Sequence, residues 1–284
     1  MNRPDHAAPA AQEASLIPEE GWHCRHFYYQ FDRTAIAQWS SEQRLDAVRQ
    51  FETCLDADKG DGPQRLQLFS VAGHKADFGV MTLDPDPMKV DGLHQELLSS
   101  AFGSAIRSVY SYVSLTEVSE YVPSLEQYAN RLLEEGEQEG SESFQAKVNA
   151  YKVREPMMRE QRLHPKFPPW PVMCFYPMSK KREVGENWFS LPFDQRNRLM
   201  AEHARSGMEF AGKVTQLISV SVGLDDWEWG VTLWARNPQF LKEIVYRMRF
   251  DEASARYAEF GPFYTGFIAS AREILNRAGV VDSD

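Results

Sequence analysis

The chain has 284 residues, 43% hydrophobic and 25% charged, which excludes a disordered, collagen-like or disulfide-scaffold protein and suggests about two compact domains. Its 31 basic and 41 acidic side chains leave a net charge of −10, which repels phosphate backbones and anionic lipid, so no nucleic-acid and no membrane partner is expected. Cys24, Cys54 and Cys174 make no C-x-x-C pair, and no stretch approaches the roughly 18 apolar residues of a membrane span, so the setting expected is reducing and cytoplasmic.

In chain order, residues 1–20 lack periodicity and read as a mobile tail. An aromatic strand over 26–31 follows, then Ser40 and Gln43 at capping-box spacing. The helix they begin repeats Leu45, Val48, Phe51, Cys54 and Leu55 on one buried face, which makes Cys54 a core thiol. Two β-rich runs, 66–72 and 78–83, are split by Gly73-His74-Lys75-Ala76-Asp77, a hairpin signature. A helix through Leu93, Leu97 and Leu98 and a strand over 109–115 complete a β-α-β-β-α-β unit.

The same order recurs at an offset of about 151 residues: 79–83 resembles 230–234, Leu93 falls on Ile244, and the strand 109–115 falls on 260–266. Between the copies, 123–170 holds an acidic helical stretch (132–142), a second helix to about Gln161, and the proline-rich connector His164-Pro165-Lys166-Phe167-Pro168-Pro169-Trp170. The fold class expected is α+β: two tandem ferredoxin-like halves forming a dimeric α+β barrel-type subunit, divided as 1–20, 21–122, 123–170 and 171–284. Such a fold does not by itself imply a function.

Candidate chemistry gathers in the second half. His203 falls opposite Glu52 of the first half and shares a helix face (helix 193–210) with Leu199, Met200 and Gly207. It is either a satisfied core histidine or the ligand of a flat metal complex pressed against that helix. On the strand 214–222, Gln216 is the one polar residue among Val214, Ile218, Val220 and Val222, and it either closes a local hydrogen bond or faces a ligand. Tyr176-Pro177-Met178-Ser179-Lys180-Lys181-Arg182 sets a tyrosine beside a basic cluster, either a solvated turn or a carboxylate-binding rim. Arg162, Arg249 and Ser254 are further carboxylate partners, or surface ion-pair residues. Trp227 and Trp229 read as core packing.

These blocks, with Asn187-Trp188, 211–216, Asp225-Asp226-Trp227-Glu228-Trp229-Gly230 and 248–261, closely resemble the coproheme decarboxylases of the chlorite dismutase superfamily. The likeness is dense over 176–263 and weaker but collinear over 22–168. It implies that the second half binds haem while the first carries no cofactor, that His203 ligates the iron, and that Tyr176 forms a radical which attacks a propionate. It further implies that Lys180 serves the second decarboxylation, that Gln216 lies on the distal side, and that Met178, Arg162, Arg249 and Ser254 contact the substrate. Iron-coproporphyrin III (coproheme) is then both substrate and redox cofactor, hydrogen peroxide the oxidant and haem b the product. A ring of five subunits and a ferrochelatase upstream are the implied partners. One departure is His164, where the family carries tyrosine; it either holds a propionate or assists peroxide activation. The rival activities are chlorite dismutation, associated with a distal arginine where this chain has Gln216, and a non-catalytic haem carrier.

Overall fold

The strands of this chain turn one side into a closed barrel, and helices cover much of the other side. The computed structural model describes residues 14–281. The first 13 residues of the expected tail lie outside the described residues.

The first half runs β1 (His23–Phe31), α1 (Arg33–Ala37), α2 (Ser41–Cys54), β2 (Arg65–Val71), β3 (Phe78–Asp84), α3 (Pro87–Ser99) and β4 (Ile106–Thr116). Two helices follow, α4 (Leu125–Glu134) and α5 (Glu142–Leu163). The second half holds β5 (Val172–Lys180), the small hairpin β6 (Arg182–Glu183) and β7 (Glu186–Asn187), α6 (Phe193–Met208), β8 (Val214–Val220), β9 (Trp229–Ala235) and α7 (Pro238–Met248). It continues with α8 (Glu252–Tyr257), β10 (Ala258–Phe260), β11 (Tyr264–Ile268) and α9 (Ala271–Arg277).

Each half has the ferredoxin-like strand order, β4-β1-β3-β2 and β8-β9-β5-β11, all antiparallel. The pairings β4–β8 and β2–β11 join the two sheets edge to edge, so the expected barrel is realised as one closed sheet. Its interior packs Tyr28, Phe69, Met81, Tyr112, Met173, Phe175, Trp234 and Tyr264. The repeated glycines explain themselves here: a Cβ on Gly79 would lie 2.2 Å from the Phe69 ring, and one on Gly230 would lie 2.5 Å from Tyr112.

The capping box at Ser40 and Gln43 is present, but Leu45 is exposed and Ala47 takes its place on the buried face of α2. The helix in the connector begins earlier than its acidic run, at a second capping box formed by Ser124 and Gln127, and stops at Glu134 before Gly136 (φ 98°). The single strand expected over 260–266 is two strands along one edge of β5, because pairing breaks at Pro262 and resumes with the register shifted by one residue. Outside the barrel, α2, α3 and α9 close a phenylalanine-rich core on the first half. Helix α9 therefore packs with the half to which it does not belong in sequence. The second half is covered by α6, α7 and α8. No helix among the described residues is long and apolar enough to cross a membrane.

Candidate functional site

Alternation along β5 puts Cys174, Tyr176, Met178 and Lys180 on its outer side. Pairing carries this face across the sheet in rows: Cys174, Leu233 and Gln216; Tyr176, Val231 and Ile218; Met178, Trp229 and Val220. Helix α7 covers the β5 and β9 part of the face with Leu241, Ile244 and Met248. On β8 the cover ends, and Gln216 and Ile218 stay exposed while Leu217 and Ser219 are buried. The sequence reading of Gln216 as a buried amide is thus corrected. Alternation reports which residues share a face, not whether anything covers it.

Tyr176 is 5% exposed, and burial pushes its phenol above the ordinary tyrosine range, with Arg249 pulling the other way. Phe263 stacks on its ring with centroids 4.4 Å apart, and Phe260 lies at 5.8 Å. The Arg249 guanidinium sits 4.2 Å over Phe260, so Arg249 stands beside the tyrosine at the end of α7. Met178 packs at the edge of the same cluster.

His203 lies in the middle of α6, and its Nδ1 is 2.9 Å from Oδ2 of Asp251, a fully buried carboxylate. A carboxylate only accepts, so Nδ1 donates, and the lone pair of the imidazole is left on Nε2, the arrangement that orients a metal-binding histidine. Asp251 is also the N-cap of α8: its Oδ1 accepts from the Ser254 backbone at 2.9 Å. Burial pushes the Asp251 carboxyl up, but His203 and Ser254 outweigh it and hold it below the usual range. The Ser254 hydroxyl is itself 3.3 Å from His203 Nδ1.

Lys180 reaches the same helix end. Its Nζ donates to the Ala253 carbonyl at 3.2 Å and lies 4.2 Å over the Trp188 ring. Burial brings its ammonium down to about 8, although Asp251 and Glu228 oppose the shift. Glu228, buried and ion-paired with Arg182, fixes the Lys180 backbone by accepting its N–H at 2.8 Å.

The structure therefore brings Lys180, His203 and Ser254 together at the start of α8, with Arg249 two residues before its N-cap, Tyr176 and Met178 along the same face of β5 as Lys180, and Gln216 on that sheet face two strands away. Arg162 and His164 stand apart at the end of α5. That end is tied to the barrel by the Thr116 hydroxyl, which donates to the Leu163 carbonyl at 2.7 Å, and Thr116 pairs with Ser219 of β8, the Gln216 strand. Arg162 is exposed there. His164 is engaged elsewhere, with Nδ1 3.0 Å from Glu160 and its ring 4.8 Å from Trp22.

Sequence reasoning passes over Asp251, Glu228, Phe260 and Phe263. For Asp251 a signal exists: Asp-Glu-Ala-Ser after a helical run is an N-cap signature, and a cap side chain has a second oxygen to offer. The other three signal nothing locally, since their partners come from distant strands.

Among the described residues, no group of three or more His, Cys, Asp or Glu side chains could hold a bare metal ion. A lone oriented imidazole suits a metal whose remaining in-plane ligands come from a macrocycle. Comparison with known proteins bears on the same point. The chlorite dismutase family matches residues 44–269. A coproheme decarboxylase of Oceanobacillus iheyensis is 34% identical over 94% of this chain and 99% of its own. A protein of Natronomonas pharaonis named for heme binding is 37% identical over 87% of this chain, which spans 39% of that protein's length. A solved heme-binding protein from Thermus thermophilus superposes with a TM-score of 0.74 at 32% identity, covering 92% of this chain and 95% of that one. A chlorite dismutase mutant of Candidatus Nitrospira defluvii shares the fold, with a TM-score of 0.69 at 17% identity over 92% of this chain and 97% of its own. By sequence over most of its length and by its fold, this chain belongs to the chlorite dismutase family.

Proposed function

We propose that this protein is a coproheme decarboxylase, converting two propionates of iron-coproporphyrin III to vinyl groups and so producing haem b. The observation that carries this reading is a buried tyrosine, Tyr176, and a lysine of lowered pKa, Lys180, on one face of β5, with the lysine meeting the Asp251-oriented His203 at one helix start. A carrier has no use for the first two. Chlorite dismutation, the rival within the family, gives neither of them an evident task. The relative in Oceanobacillus iheyensis supports the same choice.

The residues present fit a tetra-carboxylate macrocycle in an otherwise acidic protein. His203 would take the iron through Nε2, and the exposed sheet face at Ile218 and Gln216 offers a flat apolar strip beside the α7 cover. Arg249, Lys180, Ser254 and, from the end of α5, Arg162 supply the donors for carboxylates. When bound, the iron supplies the oxidising power of a peroxide.

The conversion of each CH2–CH2–COO⁻ arm to CH=CH2 releases carbon dioxide, a proton and two electrons, which a molecule of hydrogen peroxide consumes on going to water. Tyr176 is the group that, as a phenoxyl radical, takes a hydrogen atom from the propionate carbon, a step no acid or base performs. Lys180, poised near neutrality, pairs with the reacting carboxylate and can take up the proton that the propionate carbon releases. Asp251 keeps His203 in the tautomer that leaves Nε2 free. The wider reading places the protein in the cytoplasm, as a ring of five subunits, downstream of a ferrochelatase.

The test is to load the protein with ferric coproheme, add hydrogen peroxide and follow the porphyrin by chromatography and mass. Haem b should appear through a singly decarboxylated intermediate, and Tyr176→Phe should bind coproheme and release no carbon dioxide. Turnover by Tyr176→Phe at the parent rate would remove the central residue and favour the carrier.

A further inference from the structure

A phenoxyl radical takes its hydrogen from the most accessible donor, and inside a protein the usual donors are other tyrosines, tryptophans and thiols. Tyr176 is packed against neither a tyrosine nor a tryptophan: both rings in contact with it are phenylalanines, Phe263 at 4.4 Å and nearly parallel (22°), and Phe260 at 5.8 Å. Phenylalanine has no O–H or N–H to give up. Packing alone would be served as well by tyrosine at either place, because both phenylalanines are only half-buried at the mouth of the cluster.

The pair is held in position from both halves of the molecule. The Arg249 guanidinium lies over Phe260, and Lys75, in the hairpin turn of the first half, donates to the Phe263 carbonyl at 2.7 Å. Between the two phenylalanines, the Gly261 backbone donates to the Pro177 carbonyl at 2.9 Å. A Cβ on Gly261 would lie 2.7 Å from Pro177 and 2.9 Å from Trp227, so this loop also stands between Trp227 and the residue following Tyr176.

The oxidisable rings of the barrel interior are turned away, while Trp229, one row along on the Tyr176 face beside Met178, makes no ring contact with Tyr176 among the described residues. Tyr264 pairs with Phe175 and so lies on the opposite face of β5, where it stacks with Tyr28 (4.1 Å) and Tyr110 (5.2 Å). Among the described residues, the hydroxyls of Tyr28 and Tyr110 are buried without a hydrogen-bond partner. A phenol with no base to take its proton is a poor electron donor, since oxidation would leave an acidic radical cation stranded in an apolar interior. The thiol that shares the Tyr176 face, Cys174, is buried and engaged on its own strand edge, with its Sγ 4.0 Å from the Phe175 carbonyl and accepting from the Thr265 hydroxyl at 3.5 Å.

We propose that Phe260 and Phe263 are positioning residues that fix Tyr176 and deny it a redox-active neighbour, so that its radical draws hydrogen from the substrate and not from the protein. This rests on the reading of Tyr176 as the radical residue. In Phe263→Tyr the introduced phenol would pass its hydrogen atom to the Tyr176 oxygen, restoring the Tyr176 phenol and leaving the unpaired electron at position 263. That exchange between like phenols has almost no driving force of its own, and contact decides it.

The experiment compares parent, Phe263→Tyr, Phe263→Leu, Phe260→Tyr, Tyr176→Phe and the double variant Tyr176→Phe/Phe263→Tyr, each loaded with ferric coproheme and given hydrogen peroxide. Carbon dioxide per peroxide is measured alongside peptide mass spectrometry of the segment containing 260 and 263. Phe263→Tyr should bind coproheme as the parent does, lose about tenfold in yield, a bias of only about 1.4 kcal/mol towards the contact donor, and carry oxidation or cross-links at 263. Phe260→Tyr should do the same at 260, and serves if the first variant folds poorly. Phe263→Leu, which adds no hydrogen donor, should carry no adduct at 263, and neither should the double variant. If Tyr176→Phe is inactive while both tyrosine variants keep the parent yield with unmodified rings, the proposal is overturned and the decarboxylase reading stands. If Tyr176→Phe is fully active, both fall.

Discussion

Asp251 does two jobs with its two oxygens, and a pair of substitutions should pull them apart. Oδ1 caps α8 through the Ser254 backbone, and Oδ2 receives the proton on His203 Nδ1. In Asp251→Asn one oxygen is replaced by an NH2 group. Asparagine caps helices as well as aspartate does, so the oxygen should stay with Ser254 and stability should hardly change. The NH2 then faces Nδ1, which must accept, and the imidazole proton is driven to Nε2, the wrong tautomer for binding a metal. Asp251→Ala loses the cap, at a cost of about 1 kcal/mol, but leaves His203 free to choose its tautomer. The two effects run in opposite order. Asp251→Asn should weaken iron ligation by about 10–100-fold, the usual effect of losing such an orienting partner, while Asp251→Ala should ligate better than the amide and melt lower. Coproheme titration with the iron–histidine vibration reports the first quantity, and urea unfolding the second. An amide variant that ligates iron as well as the parent, or better than the alanine variant, would refute the orientation assigned to His203.

Lys180 titrates at about 8 in the folded chain against 10.5 for the unfolded group, so charging it costs stability below about 8, and that cost fades as pH rises towards 10.5. Lys180→Met should raise the urea midpoint at pH 7 and arrest turnover after the first propionate; an unchanged midpoint would contradict the burial assigned to it. His26, buried between the halves with Nε2 2.9 Å from Thr232, is brought down by burial to about 3, so the unfolded chain binds the extra proton between pH 6.5 and 3 and stability falls on acidification by about 1.4 kcal/mol per pH unit. His26→Gln should remove that part of the slope, read from urea unfolding at pH 7 and pH 4.5. Gln216→Ala should change cyanide or fluoride affinity of the coproheme-loaded protein while coproheme binding persists; an anion affinity equal to the parent's would take Gln216 away from the iron.

What can be read from the sequence is what local chemistry determines. Ser40 and Gln43 define a helix start by themselves, and Gly79 and Gly230 mark the repeat because a ring occupies the space of the missing Cβ in both halves. Tyr176 and Lys180 stand out because the motif around them is contiguous, and His203 because it breaks the repeat on an apolar helix face. The misreadings share a physical cause. Periodicity assigns Leu45 and Gln216 to buried faces, yet burial depends on a partner element that periodicity does not name. The break at Pro262 is hidden by the offset of the repeat, which carries a continuous strand from the first half onto a place where the pairing with β5 shifts register by one residue. Asp251 lies inside a recognised block, but its value comes from α6, some fifty positions earlier in the chain.

The path of β11 also accounts for which half is open. After β10 the chain continues along the same edge of β5 as β11, whose other side pairs with β2 of the first half. Leaving β11 at Ile268, beside Phe69 of β2, the chain lays α9 over the first half, where Ala271, Ile274 and Leu275 complete the core of Phe31, Phe51, Phe78 and Phe102. The second half receives no equivalent helix. Its cover consists of α6 and α7, with the short α8 wedged against α6 through Leu199, Ala253 and Tyr257. The outer side of β8 is left exposed at Gln216 and Ile218 as a consequence. The closed and open faces are therefore two results of one connection. A chain that ended before α9 should lose stability in the half without chemistry and keep the arrangement of His203, Asp251 and Lys180. Denaturation of a chain truncated after Ser270, followed with coproheme bound and free, would show whether the halves are separable in that way. If the site lost iron ligation together with the first half's core, the two faces would be coupled through the barrel, whose His26–Thr232 bond and Lys75–Phe263 contact are the places to look for the link.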